Sequence, residues 1–79
     1  GELEGVPIMI LHQHEIDAQV QTAMEIKLRH GYTIPAAVCR TWLADGRRFT
    51  LGFHFRRDAT VGDVYVNDDG SRSEVLAVV

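Results

Sequence analysis

The sequence has a single cysteine and no long apolar run, and each scarcity excludes a class of protein. One thiol, Cys39, cannot form an internal disulfide, so a disulfide-stapled secreted scaffold is excluded and a reducing cytoplasm is expected. The apolar run Val6–Leu11 is far shorter than the roughly 20 residues that span a bilayer, and it lacks the basic flank of a signal peptide. We therefore expect a cytoplasmic chain with no membrane partner.

A surplus of positive charge is also missing. The net charge is −3, which is too mild to indicate a nucleic-acid or membrane partner. With 46% hydrophobic and 24% charged residues, the composition is that of a folded globular chain. Residues 1–79 are expected to form one small α+β domain. A domain this small buries only about 60% of its unfolded surface, so we expect a protein partner or a homodimer.

The stretch Val38–Arg57 contains the features around which the chain is organised. From Phe49 to Phe55 every second residue is apolar, which predicts a strand with one buried face. Asp45-Gly46 is a turn signal, and it predicts a hairpin. A two-residue loop would place Arg40 opposite Leu51, among apolar side chains, where an unpaired charge is costly.

A three-residue loop, Ala44-Asp45-Gly46, moves the pairing by one residue and is the register that we prefer. It joins Cys39 and Leu43 to the Phe-rich buried face. The opposite face then carries a basic and aromatic set of side chains. These are the expected partner-binding residues: Arg40, Trp42, Arg48, Thr50, His54 and Arg56.

The segment Ile34–Ala44 has a second interpretation. Thr33 and Pro35 are typical of a helix start, and Gly46 of a helix end. Apolar residues then recur at helical spacing and include Trp42. This alternative changes the fold to two helices followed by a three-stranded sheet.

The remaining segments complete the predicted fold. Val6–Leu11 is predicted as a buried strand, and Glu15–His30 as an amphipathic helix that ends at Gly31. Its buried stripe consists of Ile16, Val20, Ala23, Met24 and Leu28. Val61–Val66 and Glu74–Val79 are predicted strands. The expected architecture is α+β: strand, helix, then four strands in an antiparallel meander, with the helix packed on a sheet of four to five strands.

Catalytic and metal-binding patterns are weak. His12 and His14, with Glu15 and either His30 or His54, are the residues considered for zinc, but a third ligand is not defined by spacing. Cys39 with His30 or His54 is the one nucleophile–base pair considered. Because no other motif supports either site, we expect no enzyme activity, no metal and no cofactor.

The predicted function is a non-enzymatic protein–protein interaction domain that docks its partner through the basic sheet face or an edge strand, and that self-associates. An adaptor, an assembly subunit or a small inhibitor of another protein would fit. Tryptophan and arginine are frequent hot spots of such interfaces. A nucleic-acid-binding module that uses the same arginine and aromatic side chains is the alternative.

Two stretches, Arg40–Phe49 and Ala59–Tyr65, resemble the opening of UBX-type ubiquitin-like domains. In that family a strand–Asp-Gly–strand hairpin leads to a helix that begins near a Thr-Val-x-Asp-Val sequence. The resemblance implies a helix near Thr60. It is confined to the hairpin and the residues after it, since the segments predicted before the hairpin are foreign to that family, and no function is carried over.

Overall fold

One helix and a four-stranded antiparallel sheet make up the part of the chain that the structure, a computed structural model, describes. It describes residues 8–79, with side chains from residue 13 onward. The α+β class is therefore confirmed. The elements in chain order are α1 (Ile8–His30), β1 (Ala36–Trp42), β2 (Phe49–Phe55), β3 (Val64–Val66) and β4 (Arg72–Val78).

The helix is longer at its start than the sequence indicates. Ile8 to Leu11 belongs to α1, so the predicted first strand is wrong for these residues, while Val6 and Pro7 lie outside the described residues. A short apolar run has the same pattern in a strand and in a buried helix. Here no glycine or proline separates it from the helical stripe, and Gln13 already donates a hydrogen bond to Asp17 across one turn, at 2.9 Å. The described part of the chain therefore begins with a helix.

The buried stripe of α1 is rotated relative to the prediction. Ala23 is fully buried, but Met24 is 47% and Leu28 82% exposed, whereas Gln19, which is not part of the predicted stripe, is half-buried. The end of the helix is confirmed, because Gly31 has a φ of 67°. The backbone N–H of Tyr32 bonds to the carbonyl of Lys27 at 3.0 Å, as in a Schellman cap.

The strand order is β2-β1-β4-β3, so the predicted meander is wrong. β4 returns to pair with β1 and makes β1 a central strand. Two cross-strand contacts fix this pairing: Arg40 with Glu74 at 2.8 Å and Thr41 with Ser73 at 2.9 Å. A bulge between Val38 and Cys39 leaves one extra residue in β4. β2 and β3 therefore lie at opposite edges of the sheet.

The strand interpretation of residues 34–44 is confirmed by β1, but the preferred hairpin register is wrong. Trp42 pairs with Phe49 and Arg40 with Leu51, which is the register that a two-residue loop would give. A four-residue loop between Leu43 and Arg48 connects the strands, with Gly46 at a φ of 70°. The register is tolerated because the Arg40 guanidinium meets the Glu74 carboxylate and is not left unpaired.

The two sheet faces are covered by different parts of the chain. α1 packs over the Phe-rich face, which we call the helix face. Just after the helix, the Tyr32 ring contacts the Phe55 ring with centres 5.0 Å apart. The opposite face, called the far face, has a small core of Ala37, Cys39 and Val75, against which Ala59 and Tyr65 pack. The β2–β3 connection therefore crosses the far face, and small side chains on β1 make room for it.

Two further sequence expectations can be compared with the fold. After Thr60 the chain makes a turn, with the Asp63 N–H bonded to the Thr60 carbonyl at 3.1 Å, and then enters β3, where a UBX-type domain would have a helix. Within residues 8–79, no helix has the length and apolar character needed to cross a membrane.

Candidate functional site

The six residues predicted to bind a partner do not share one face. Arg40 and Trp42 lie on the helix face, because β1 pairs with β2 in the register described above. There the Arg40 guanidinium carbon is 5.4 Å from the centre of the Trp42 ring and 5.5 Å from that of Phe49. The Arg40 guanidinium also forms an ion pair with the Glu74 carboxylate. Both residues are therefore engaged within the sheet.

The other four residues lie at or beyond β2. Thr50 and His54 are exposed on the far face, and Arg48 follows the hairpin loop, where its side chain is 74% exposed and lies 3.6 Å from Asp45. Arg56 turns across the far face, and its guanidinium carbon is 3.9 Å from the centre of the Tyr65 ring. The arginine–tryptophan surface expected from the sequence is therefore split between the two faces.

Cys39 and His54 do come together on the far face, with Sγ 4.0 Å from Nδ1. The thiol is only 3% exposed and has a second contact with the Ala37 carbonyl. Burial raises the pKa of the Cys39 thiol, and the nearby charge of Arg56 opposes this only in part. A buried thiol with a raised pKa is a poor nucleophile.

The histidines considered as possible zinc ligands do not form a cluster in the described part of the chain. Among the residues whose side chains are described, no three His, Cys, Asp or Glu residues lie close enough to hold a metal ion. His30 stacks on Tyr32 at the end of α1, with ring centres 5.3 Å apart, and His54 is on β2. His12 lies in α1, but its side chain is outside the described ones.

The outer edge of β2 is the feature that stands out in the described part of the chain. The Leu43 N–H bonds to the Arg48 carbonyl and the Arg56 N–H to the Pro35 carbonyl, each at 2.9 Å. Backbone groups of a strand alternate in direction, so these two bonds determine which groups of β2 face β1. They are those of Thr50, Gly52 and His54. The groups that point away from the sheet include those of Leu51, Phe53 and Phe55.

No strand within residues 8–79 pairs with this outer edge. β2 has seven residues and no proline, and its pairing with β1 is regular from end to end. Natural edge strands are commonly shortened, bulged or interrupted by proline to prevent further pairing. β2 has none of these features, and it therefore offers about 20 Å of regular strand edge.

A groove runs beside this edge, between α1 and β2. It has a volume of about 450 Å³ and is lined by Glu15, Ala18 and Gln19 of the helix and by Phe49, Thr50 and Leu51 of the strand. The apolar side chains of β2 are only half-buried beneath α1. A side chain from an additional strand on this edge would enter the groove and cover them.

Charge is concentrated at the same place. Residues 47–57 contain four arginines and no acidic residue. The rest of the chain then has four of the eight Lys and Arg residues against all eleven acidic ones, a net charge of −7. The β2 edge is therefore a positive stripe on an otherwise negative chain.

Sequence reasoning missed this edge for one reason. The alternating pattern of β2 predicts the strand, but a meander would place another strand beside it. The long-range pairing of β1 with β4 exposes β2 instead. Arg47 and Arg57, at the two ends of the strand, are not among the predicted partner-binding residues.

Comparisons with models of protein families, with curated proteins and with solved structures find no match to this chain.

Proposed function

We propose that the chain is a non-enzymatic protein–protein interaction domain that binds an extended segment of a partner protein as an additional strand on β2. The observation that carries the proposal is the regular outer edge of β2, seven residues long, with which no strand in residues 8–79 pairs. In strand addition, main-chain hydrogen bonds give affinity and alternate side chains give specificity. Leu51, Phe53 and Phe55 supply the outward-facing backbone groups.

The groove beside the edge supports the same function. An added strand would place every second side chain on the helix face, next to Phe49 and Leu51. The half-buried apolar side chains of β2 would lose their remaining contact with water, which favours binding by about 25 cal/mol for each Å² of apolar surface covered. Backbone pairing and apolar burial thus act at one place.

Self-association through two fully overlapping β2 edges is disfavoured by charge. In an antiparallel pair with Leu51 of one copy opposite Phe53 of the other, Arg47 would lie opposite Arg57, and Arg48 opposite Arg56. Like charges directly opposite each other destabilise a strand pair. We therefore propose a different protein as the occupant of this edge, and a second copy is an outcome that the experiment must be able to detect.

The non-enzymatic part of the proposal is supported by the state of Cys39. Its thiol is buried, and burial raises its pKa, although His54 lies beside it. The nucleic-acid alternative has lost its main support, since Arg40 and Trp42 do not join Thr50 and His54 on one open face.

The proposal is tested with peptides selected for binding from a displayed library of ten-residue sequences, followed by amide hydrogen exchange of the complex. We expect the amides of Leu51, Phe53 and Phe55 to become protected, because each would donate to the added strand. N-methylation of alternate peptide residues is the matched control: methyl groups on the N–H groups that face β2 should abolish binding, and those on the intervening ones should not.

Two results would contradict the proposal. One is a peptide that binds without protecting these three amides. The other is protection that develops with the concentration of the protein alone, which would indicate that a second copy occupies the edge.

A further inference from the structure

We infer that the segment bound at β2 is acidic, with apolar side chains directed to α1 alternating with Asp or Glu side chains directed to the far face. The inference rests on the proposed function, because it assigns chemistry to a strand added at that edge. It follows from the distribution of charge around β2 and from the difference between the two sides of the strand.

The far side of β2 is basic. Arg48, His54 and Arg56 lie on this side, and all three are exposed. Arg48 has only a 3.6 Å contact with Asp45. Carboxylates on an added strand would therefore meet the exposed guanidinium of Arg48, and that of Arg56, whose other contact is with the Tyr65 ring, in the opposite-charge pairing that favours neighbouring strands.

Room for such carboxylates exists at the middle of the strand. Gly52 lies between Thr50 and His54 on the far side, and a Cβ built on it meets no atom within 4 Å. A long acidic side chain from a neighbouring strand can therefore lie across Gly52 toward either end of the basic stripe.

The helix side of β2 disfavours acidic side chains and accepts apolar ones. The groove there is lined by Glu15, Ala18 and Gln19 of the helix and by Phe49, Thr50 and Leu51 of the strand. A carboxylate placed in this groove would face Glu15 beside the apolar side chains of Phe49 and Leu51, which disfavours the charged form. Apolar side chains fit these positions, so the two sides of the edge together define an alternating apolar and acidic segment.

Single-stranded nucleic acid is the other polyanion to consider. Its bases bind by stacking on exposed aromatic rings. The rings of Phe53 and Phe55 are directed to the helix face and half-buried there, in contact with each other at 6.1 Å. Among the described residues, His54 is the one exposed ring on the far side of β2. The edge therefore presents charge and backbone groups with little stacking surface, which favours an acidic polypeptide.

The experiment compares three nine-residue peptides in which Val alternates with Glu, Thr or Lys. Binding is measured by titration at low and high salt, and amide exchange of Leu51, Phe53 and Phe55 shows whether a bound peptide occupies the edge. We expect the Glu peptide to bind roughly tenfold more tightly than the Thr peptide at low salt, and the Lys peptide to bind most weakly. High salt should reduce the first difference, since exposed charges are screened.

Two matched variant pairs locate the effect. Gly52→Glu should weaken binding of the Glu peptide roughly three- to tenfold relative to Gly52→Gln, which has the same bulk at an open position. Arg48→Gln should weaken it by about two- to fivefold. Arg29→Gln removes the same charge from the end of α1 and should leave binding unchanged.

The outcomes separate the inference from the proposed function. If the Glu and Thr peptides bind equally and both protect the three amides, strand addition stands and the acidic inference is overturned. If no peptide protects these amides, strand addition itself fails, and the inference fails with it. An oligothymidylate that binds with loss of affinity in Gly52→Glu, while the peptides do not bind, would assign the stripe to nucleic acid and overturn both.

Discussion

The two edges of the sheet differ in length and in the sign of the charge at their ends. β2 has seven residues, a regular pairing and arginines at both ends. β3 has three residues and stands between Asp63 and the acidic turn at Asp68 and Asp69. A short edge strand resists further pairing. Within residues 8–79, the comparison therefore indicates that β3 is protected by its length, whereas β2 is long enough to accept another strand.

The largest expected effect concerns the crossover that places β2 and β3 at opposite edges. Val75 is 1% exposed in the far-face core beneath this crossover. Val75→Asp buries an unpaired carboxylate, which we expect to cost several kcal/mol and to unfold a domain whose stability is about 4–12 kcal/mol. Circular dichroism and urea unfolding measure this loss.

Val66→Asp is the control on the neighbouring strand. Val66 is 76% exposed on β3 and lies opposite Arg72, so its replacement should cost less than about 1 kcal/mol. Equal losses from the two variants would contradict the buried crossover.

The second effect is that the rate of amide hydrogen exchange alternates from residue to residue along β2. In the free protein the N–H groups of Thr50, Gly52 and His54 bond to β1, while those of Leu51, Phe53 and Phe55 point outward. We expect exchange of the outward set to be roughly tenfold faster or more. Residue-resolved exchange by NMR measures the pattern, and uniform protection of all six amides in a dilute sample would show that the edge is already paired.

The third effect compares an ion pair inside the sheet with one at its edge. Arg40 and Glu74 lie 2.8 Å apart, and 26% and 37% of their side chains are exposed. Nε of Arg40 is buried with no hydrogen-bond partner among the described residues. Glu74→Gln should therefore cost about 1 kcal/mol of unfolding free energy. Arg48→Gln, which breaks the more exposed pair with Asp45, should cost only a few tenths. Chemical unfolding compares the two variants. A larger loss of unfolding free energy from Arg48→Gln than from Glu74→Gln would contradict the prediction.

The smallest effect is an acid dependence of the β3–β4 turn. The Asp69 carboxylate accepts hydrogen bonds from the Ser71 hydroxyl at 2.6 Å and from the Ser71 N–H at 2.9 Å, and these lower its pKa. A pKa lower in the folded than in the unfolded chain adds stability above the unfolded value of about 3.9. This contribution is lost as the pH falls from there through the folded pKa. Asp69→Asn should flatten that part of the profile, and identical urea midpoints for both proteins from pH 5 to pH 2.5 would contradict it.

How far the sequence could predict the fold is visible in β1 and β2. The alternation of Phe49 to Phe55 predicts β2, and Gly31 predicts the end of α1; both are local properties of the chain. The preferred hairpin register is wrong because no residue close to Arg40 in the sequence is evident as a partner for its charge. Its partner, Glu74, is 34 residues away in a strand whose pairing no local pattern indicates.

The candidate site was predictable to the same limited extent. The arginines of residues 47–57 are evident in the sequence, and so is the Phe-rich strand between them. That Arg40 and Trp42 belong to the other face, and that Arg56 turns over Tyr65, depends on the register and on the crossover. Exposed Leu28 and half-buried Gln19 show the same dependence for α1, whose rotation is decided by what it packs against.

The sequence by itself determined the α+β class, the helix end at Gly31, the strand that follows Asp45-Gly46 and the positive charge of residues 47–57. These depend on periodicity, on a glycine with positive φ and on composition, all of which act over short distances along the chain. The tertiary structure alone decided that β4 pairs with β1 and that β2 is therefore an edge. Such pairing depends on contacts between residues far apart in sequence, above all Arg40 with Glu74 and Thr41 with Ser73.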